Sequence, residues 1–172
     1  MFPGGRSQGP LGQREYIDIL VKDENTTYAI ELKYKTKELD AVFNNEEFHL
    51  LDQGARDSGR YDFVKDIGRM ERFVESRASA IGWAILLTND DNYWRETRHF
   101  GTTDAMFHIH ENRTLNGELR WSEATGARTM EGRENSLILK GSHPIQWVDY
   151  SEVEGQGAGR FRYVLLELRT SY

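Results

Sequence analysis

Three polar residues, Asp18, Glu31 and Lys33, have the types and the spacing of a small metal-dependent catalytic site. Glu31 and Lys33 stand two positions apart in the alternating segment YAIELKYK, so in a β-strand both side chains point to the same face. Asp18 belongs to the preceding alternating segment, EYIDILVKD, and the polar stretch DENTT that follows is typical of a tight turn. The sequence therefore predicts a β-hairpin that brings two carboxylates and one ammonium together.

The register of this hairpin decides whether Asp18 joins the other two residues. If the turn consists of Glu24 and Asn25, Asp18 lies directly opposite Glu31. If the loop instead consists of the four residues Glu24–Thr27, Asp18 lies opposite Lys33. Both registers put the three side chains on one face, within roughly 5–8 Å of each other. A loop with an odd number of residues would instead turn Asp18 to the opposite face.

Two carboxylates and an ammonium on one sheet face suit a hard divalent cation next to a phosphate. Asp18 and Glu31 can each give one oxygen to Mg²⁺ or Mn²⁺, and the main-chain carbonyl of Leu32 can give a third. Such an ion lowers the pKa of a bound water molecule and offsets the charge of a scissile phosphate. Lys33 can orient that water or stabilise the charge that develops in the transition state.

The same residues have a simpler interpretation, in which they form a solvated strand face with cross-strand ion pairs. The neighbours on that face, Tyr16, Leu20 and Ala29, would half-bury the carboxylates. Buried charges are costly unless a metal or another cation offsets them. These neighbours therefore favour the metal site.

Asp18, followed after twelve residues by Glu31-Leu32-Lys33, resembles the Asp…Glu-x-Lys signature of the PD-(D/E)XK (restriction-endonuclease-like) nuclease superfamily. The order hairpin, helix, apolar strand is also similar and extends the resemblance from about residue 14 to residue 89. The resemblance implies a mixed central sheet with flanking helices, Mg²⁺ or Mn²⁺ as cofactor, and nucleic acid, in the first place DNA, as substrate.

Two features depart from the family pattern. Ile17 stands where the family usually has proline before the aspartate. The family also usually has a helix and a strand before the aspartate strand, whereas the seventeen residues before Asp18 do not look helical. The chain would then be a fragment, or the missing elements would come from another segment, from a second copy in a homodimer, or from a partner chain.

The other segments of the first half predict a mixed α/β (α+β) chain. Residues 1–13 are rich in glycine and proline and predict an irregular lead, and residues 36–53 predict a polar loop. Residues 57–77 predict a helix, because they carry one apolar stripe. That stripe consists of Phe63, Ile67, Met70 and Val74. Residues 81–88 are almost continuously apolar and predict a buried central strand.

The second half is expected to be rich in strands. Short alternating segments separated by glycine-rich turns lie at residues 99–110, 117–122, 136–140, 145–150 and 161–168. We therefore expect a PD-(D/E)XK-like core over residues 14–95 and a β-rich extension of the same domain over residues 96–172.

Further polar residues are candidates for contacts with substrate. Gln53, Arg60 and Tyr61 lie near the start of the predicted helix, after the Glu-x-Lys strand, where the family often places another polar residue close to the metal. The alternative is an ordinary solvated helix face with ion pairs. Three charged residues share such a face: Asp62, Asp66 and Arg69.

Three histidines allow a second, weaker metal hypothesis. His108 and His110 would share one face of a strand, and His99 would be the third ligand of a transition metal. Alternating histidines are more often surface residues, so this hypothesis ranks behind the carboxylate site.

Composition limits the function classes. The chain has 172 residues, no cysteine and a net charge of −6, so disulfides, thiol nucleophiles and bulk electrostatic binding of nucleic acid are excluded. The first twenty residues contain no apolar signal region, which favours a cytoplasmic location. The leading hypothesis is a metal-dependent, endonuclease-like phosphodiesterase. The alternative is a catalytically silent binding or assembly module of the same fold, which the acidic net charge, the short N-terminus and the β-rich second half favour.

Overall fold

The computed structural model describes residues 5–8, 14–97 and 101–169, and in them strands predominate around one long helix. The strands are β1 (Gly5–Gln8), β2 (Arg14–Ile17), β3 (Ile19–Lys22), β4 (Thr27–Lys35), β5 (Leu39–Phe43), β6 (Glu46–Leu50), β7 (Ala80–Thr88), β8 (Thr114–Leu119), β9 (Leu137–Pro144), β10 (Trp147–Glu152), β11 (Gly155–Gly157) and β12 (Arg160–Arg169). Helix α1 spans Arg56–Glu75, the short helix α2 spans Ala127–Met130, and a 3₁₀ turn spans Ala105–Phe107.

A five-stranded mixed sheet organises the molecule, in the order β10-β12-β7-β4-β3. Strands β4 and β7 are parallel and are joined through α1, whereas β3 and β12 run antiparallel to their neighbours. The predicted mixed α/β architecture is confirmed at this level. No helix in the described part of the chain is both long enough and apolar enough to cross a membrane.

The β3–β4 hairpin has the shorter of the two predicted registers. Ile19 pairs with Ile30 and Lys22 pairs with Thr27, which is the register of a turn formed by Glu24 and Asn25. The Asp23 carboxylate stabilises this turn, because it accepts hydrogen bonds from the main-chain N–H groups of Asn25 and Thr26.

The segment before the turn is two strands rather than one. The chain bends at Asp18, so β2 leaves the central sheet and pairs with β1 in a separate hairpin. The expectation of an irregular lead is therefore wrong for Gly5–Gln8, which gain a regular partner in β2. The rest of that lead, residues 1–4 and 9–13, lies outside the described residues.

Helix α1 covers one face of the central sheet. It begins one residue before and ends two residues before the predicted bounds, and the whole predicted stripe from Phe63 to Val74 is buried. The stripe packs most closely beside Gly82 of β7, where an added Cβ would lie 3.3 Å from Met70 Cβ. The core that the stripe joins extends from Ile17 to Leu168, so both halves of the chain contribute to it.

The prediction of a loop over residues 36–53 is wrong, because β5 and β6 form a hairpin there. Asn44 and Asn45, at its turn, have φ angles of 52° and 65°, the left-handed pair that a tight two-residue hairpin turn requires. Leu39 and Ala41 of β5 pack on Phe161 and bury this small sheet against the large one.

The four predicted strands between residues 117 and 168 are confirmed as β8, β9, β10 and β12. The predicted strand at residues 99–110 is wrong in its described part, which is a loop around the 3₁₀ turn. Phe107 and Ile109 are completely buried there. Their burial accounts for the alternating pattern without a partner strand.

Candidate active site

Strand β4 presents two different faces, and the polar one is turned toward α1. Ala29 and Glu31 are buried on this side, Lys33 is partly buried, and the residues between them are more exposed. Because β4 lies between β3 and β7, its helix-facing side chains have little access to water. Glu31 is only 4% exposed, which is unusual for a carboxylate.

Asp18 reaches the Glu31-Leu32-Lys33 segment from the bend between β2 and β3. Its Oδ2 accepts a hydrogen bond of 2.8 Å from the main-chain N–H of Leu32. The N–H and C=O of one strand residue point to the same neighbour, so the Leu32 carbonyl also faces the edge from which Asp18 approaches. The side chain of Asp18 is exposed, and solvent can therefore reach this side of the site.

Glu31 is paired with a helix residue that the sequence did not assign to the site. Arg69 Nη1 donates to Glu31 Oε1 at 2.7 Å and to the main-chain carbonyl of Tyr16 at 3.2 Å. Arg69 thus ties helix α1 both to strand β4 and to the segment just before Asp18.

The pKa of Glu31 is raised to about 7. Burial is the largest cause, and the nearby negative charges of Asp66 and Asp18 act in the same direction. Arg69 opposes the rise but does not cancel it. Glu31 is therefore a buried carboxylate whose ionised form is not fully compensated by the protein, which is typical of a functional position.

Lys33 is held by a second acid from the helix. Its Nζ lies 3.0 Å from Asp66 Oδ2, and the other oxygen of Asp66 lies 3.6 Å from Arg69. Burial raises the pKa of Asp66, while Lys33 and Arg69 act against that rise. The result is a row of alternating charges, Glu31–Arg69–Asp66–Lys33, between β4 and α1.

Of the predicted substrate contacts, Gln53 is exposed in the segment before α1. Its main-chain N–H donates to the carbonyl of Thr36 at 2.9 Å.

The side chains of Arg60 and Tyr61 have partners away from Glu31 and Lys33. Arg60 donates to Asp104 at 2.5 Å and to a main-chain carbonyl at 2.7 Å, and Tyr61 is 2% exposed. The Tyr61 ring stacks on Trp121, and its hydroxyl donates to the carbonyl of Asn135 at 3.0 Å. Because Tyr61 is on the buried side of the helix, it belongs to the core rather than to a substrate surface.

The two described histidines of the second metal hypothesis have different partners. His108 is buried, and its Nε2 lies 3.1 Å from Asp104 Oδ1, whereas His110 Nδ1 lies 3.0 Å from the main-chain carbonyl of Glu111. His99 lies outside the described residues. Among residues 5–8, 14–97 and 101–169, no three acidic, histidine or cysteine side chains group as metal ligands. The site of Asp18 and Glu31 would have only two side-chain ligands, with the main-chain carbonyl of Leu32 as the third ligand.

A wide cavity lies apart from these residues. It has a volume of about 1210 Å³ and lies beyond the carboxyl ends of β4 and β7, where Lys37, Asn89 and Asp91 line it. Asp18, Glu31 and Lys33 are not part of its lining.

The chain matches no protein-family model, no curated protein and no solved structure.

Proposed function

We propose that this chain is a metal-dependent phosphodiesterase that hydrolyses nucleic acid, with DNA as the first substrate to test. Asp18, Glu31 and the Leu32 carbonyl would hold Mg²⁺ or Mn²⁺, and Lys33 would assist the reaction. The observation that carries the proposal is the 2.8 Å hydrogen bond from the Leu32 N–H to Asp18, because it is a direct contact between Asp18 and the Glu31-Leu32-Lys33 segment.

The donor set fits a hard divalent ion. Magnesium and manganese prefer carboxylate and carbonyl oxygens and retain several waters, and the exposed side of Asp18 leaves room for water and a phosphate. The raised pKa of Glu31 also supports the fit, since an adjacent dication favours the ionised carboxylate. When bound, the ion would supply electrophilic stabilisation of the phosphate and a more acidic water.

The protein's own residues would position and stabilise the reacting groups. The Lys33 ammonium carries three N–H donors. Asp66 contacts one side of this ammonium and holds it on the same face of β4 as Glu31. Lys33 would donate to the phosphate oxygen on which charge develops. Arg69 would keep the Asp18 bend and the Glu31 carboxylate together.

One observation favours a second candidate, a silent module with the same fold. The Glu31–Arg69 distance of 2.7 Å and the Lys33–Asp66 distance of 3.0 Å give each of these two charges a partner of opposite sign within the protein. A site whose charges are paired in this way can serve structure alone. In that case the chain would act by binding a partner rather than by hydrolysis.

Cleavage assays separate the two candidates. Supercoiled plasmid and single-stranded DNA are incubated with the protein and Mg²⁺, Mn²⁺ or EDTA. Asp18→Asn, Glu31→Gln and Lys33→Met should each lower the metal-dependent rate at least about 100-fold. Titration calorimetry with Mn²⁺ should show tight binding by the wild type, and binding weakened at least about 10-fold by Asp18→Asn.

Two control variants match the charge changes away from the site. Glu118→Gln replaces an exposed carboxylate of β8, and Lys22→Met replaces an exposed ammonium at the end of β3. Both should cleave at the wild-type rate. Cleavage that survives all three site substitutions would reject this site, and no cleavage together with no heat of metal binding would favour the silent module.

A further inference from the structure

The face of the central sheet that points away from α1 is apolar across all five strands. The register sets its residues side by side, with Ile30 of β4 next to Trp83 of β7 and Leu32 next to Ile85. The residues on this face are Ile19, Val21, Tyr28, Ile30, Leu32, Tyr34, Ile81, Trp83, Ile85, Leu87, Val148, Tyr163 and Leu165. We refer to this set as the outer face.

The described part of the chain leaves most of the outer face uncovered. Val21 is 50% exposed, Leu32 49%, Val148 47% and Leu165 45%, so the exposure extends from one edge strand to the other. Antiparallel sheets often have one solvated face, but that face is then polar. Thirteen apolar side chains on a solvated face instead indicate a surface that is covered by a partner.

The outer face is continuous with the small sheet at one end. Leu87 packs against the cluster of Leu39, Ala41 and Phe161, which joins the two sheets. Phe43 and Phe48 share the inner face of the small sheet and are 63% and 44% exposed. Apolar side chains therefore continue from Leu87 of the outer face onto the β5–β6 hairpin.

The size of this surface suits a stable dimer. The five strands have between four and ten residues, about eight on average, and at a spacing of about 4.8 Å and a rise of about 3.3 Å per residue they cover about 600 Å². Two half-exposed phenylalanines add about 200 Å². The total of about 800 Å² equals the area that each partner buries in a standard protein–protein interface.

The charges on the outer face are already paired within the chain. Arg169 Nε lies 2.5 Å from Glu167 Oε1, and Trp83 Nε1 donates to the other oxygen of Glu167 at 3.1 Å. Binding of nucleic acid requires cations that can neutralise phosphates, so this surface does not suit it. An apolar surface whose charges are paired within the chain can pack against a copy of itself about a twofold axis.

We propose that two copies of this chain pair through their outer faces, sheet against sheet, with the two sheets about 10 Å apart. Glu31 and Lys33 point to the opposite side, toward α1, so pairing does not cover them. The inference is independent of the proposed function, since it holds for a nuclease and for a silent module.

Sedimentation of the full chain from low to high micromolar concentration tests the proposal. The wild type should be a dimer, and Leu32→Glu or Leu165→Glu should raise the dimer dissociation constant at least about 100-fold, because each buries two like charges per dimer. Ile138→Glu is the matched control. Ile138 is 68% exposed on β9, away from the central sheet, and this variant should dimerise as the wild type does.

Circular dichroism and thermal unfolding establish that each variant is folded. If a glutamate variant unfolds, Leu32→Ser and Leu165→Ser replace it, and they should weaken the dimer about 10-fold. A wild type that stays monomeric at every concentration would overturn the proposal and leave the face to a different protein. So would folded outer-face variants that dimerise normally, or a dimer that Ile138→Glu disrupts.

Discussion

The Glu31→Gln variant should become increasingly more stable than the wild type as the pH rises. The pKa of Glu31 is about 7 in the folded chain, compared with 4.5 for an ordinary glutamate, because burial penalises the charged form. The folded state therefore holds the proton more tightly than the unfolded state between these two values. Ionisation of Glu31 destabilises the fold progressively from about pH 4.5 to 7, and the loss is complete above the folded pKa.

The size of the effect follows from the two pKa values. A difference of about 2.5 units at about 1.4 kcal/mol per unit corresponds to about 3 kcal/mol above pH 8. About 1 kcal/mol of this is already lost at pH 5. Glutamine does not ionise, and its amide oxygen can still accept the bond from Arg69. The variant should therefore gain roughly 2 kcal/mol relative to the wild type between pH 5 and pH 8.

Urea unfolding followed by tryptophan fluorescence measures this difference at several pH values, since the chain has four tryptophans. Other groups that titrate are present in both proteins and largely cancel. The control is Glu118→Gln, at an exposed position of β8, whose stability profile should stay parallel to that of the wild type. If the free energy of unfolding of Glu31→Gln runs parallel to that of the wild type across this pH range, a destabilising buried charge at Glu31 is refuted. The same holds if the advantage of the variant grows toward acid pH.

Four further variants test contacts of α1, and urea unfolding measures the stability of each. Asp66→Ala should lower the free energy of unfolding by roughly 2–3 kcal/mol, because it leaves the partly buried Lys33 without this carboxylate. Tyr61→Phe should cost about 1 kcal/mol through one lost hydrogen bond, with no change in any cleavage activity. Gly59→Ala should cost about 1–3 kcal/mol, because its Cβ would collide with a buried tyrosine hydroxyl. Gly68→Ala should add about 1 kcal/mol, since its Cβ would meet nothing nearer than 3.6 Å. These contacts would be contradicted if Gly59→Ala were more stable than Gly68→Ala, or if Asp66→Ala left the free energy of unfolding unchanged. A change in cleavage by Tyr61→Phe would also contradict them.

The parts of the fold that repeat a local pattern could be predicted. The period of the apolar residues identifies β4, α1 and β7, because each buries one face against a neighbour. The β5–β6 hairpin was missed because its strands are short and mostly exposed, so alternation is weak there. Its one available signal was the pair Asn44-Asn45, since asparagine accepts the left-handed conformation more readily than most residues.

The candidate site could be predicted only in part. The spacing of Glu31 and Lys33 and the parity of the turn bring Asp18 to the same strand segment. The spacing of Asp66 and Arg69 predicts that they share one helix face, but it does not predict their contacts with Lys33 and Glu31. Which strand residues a helix face meets depends on how far the helix is shifted along the sheet, and no local pattern encodes that shift.

The sequence by itself determined the strands and the helix of the core and the residues that form one polar face of β4, because these depend on side-chain periodicity within a few residues. It left two registers of the β3–β4 hairpin open, and the structure has the one in which Ile19 pairs with Ile30. Only the tertiary structure decided that Arg69 and Asp66 meet Glu31 and Lys33, that Tyr61 enters the core, and that an apolar sheet face stays uncovered by the described residues. Each of these depends on how separate elements pack, and packing is a property of the whole chain.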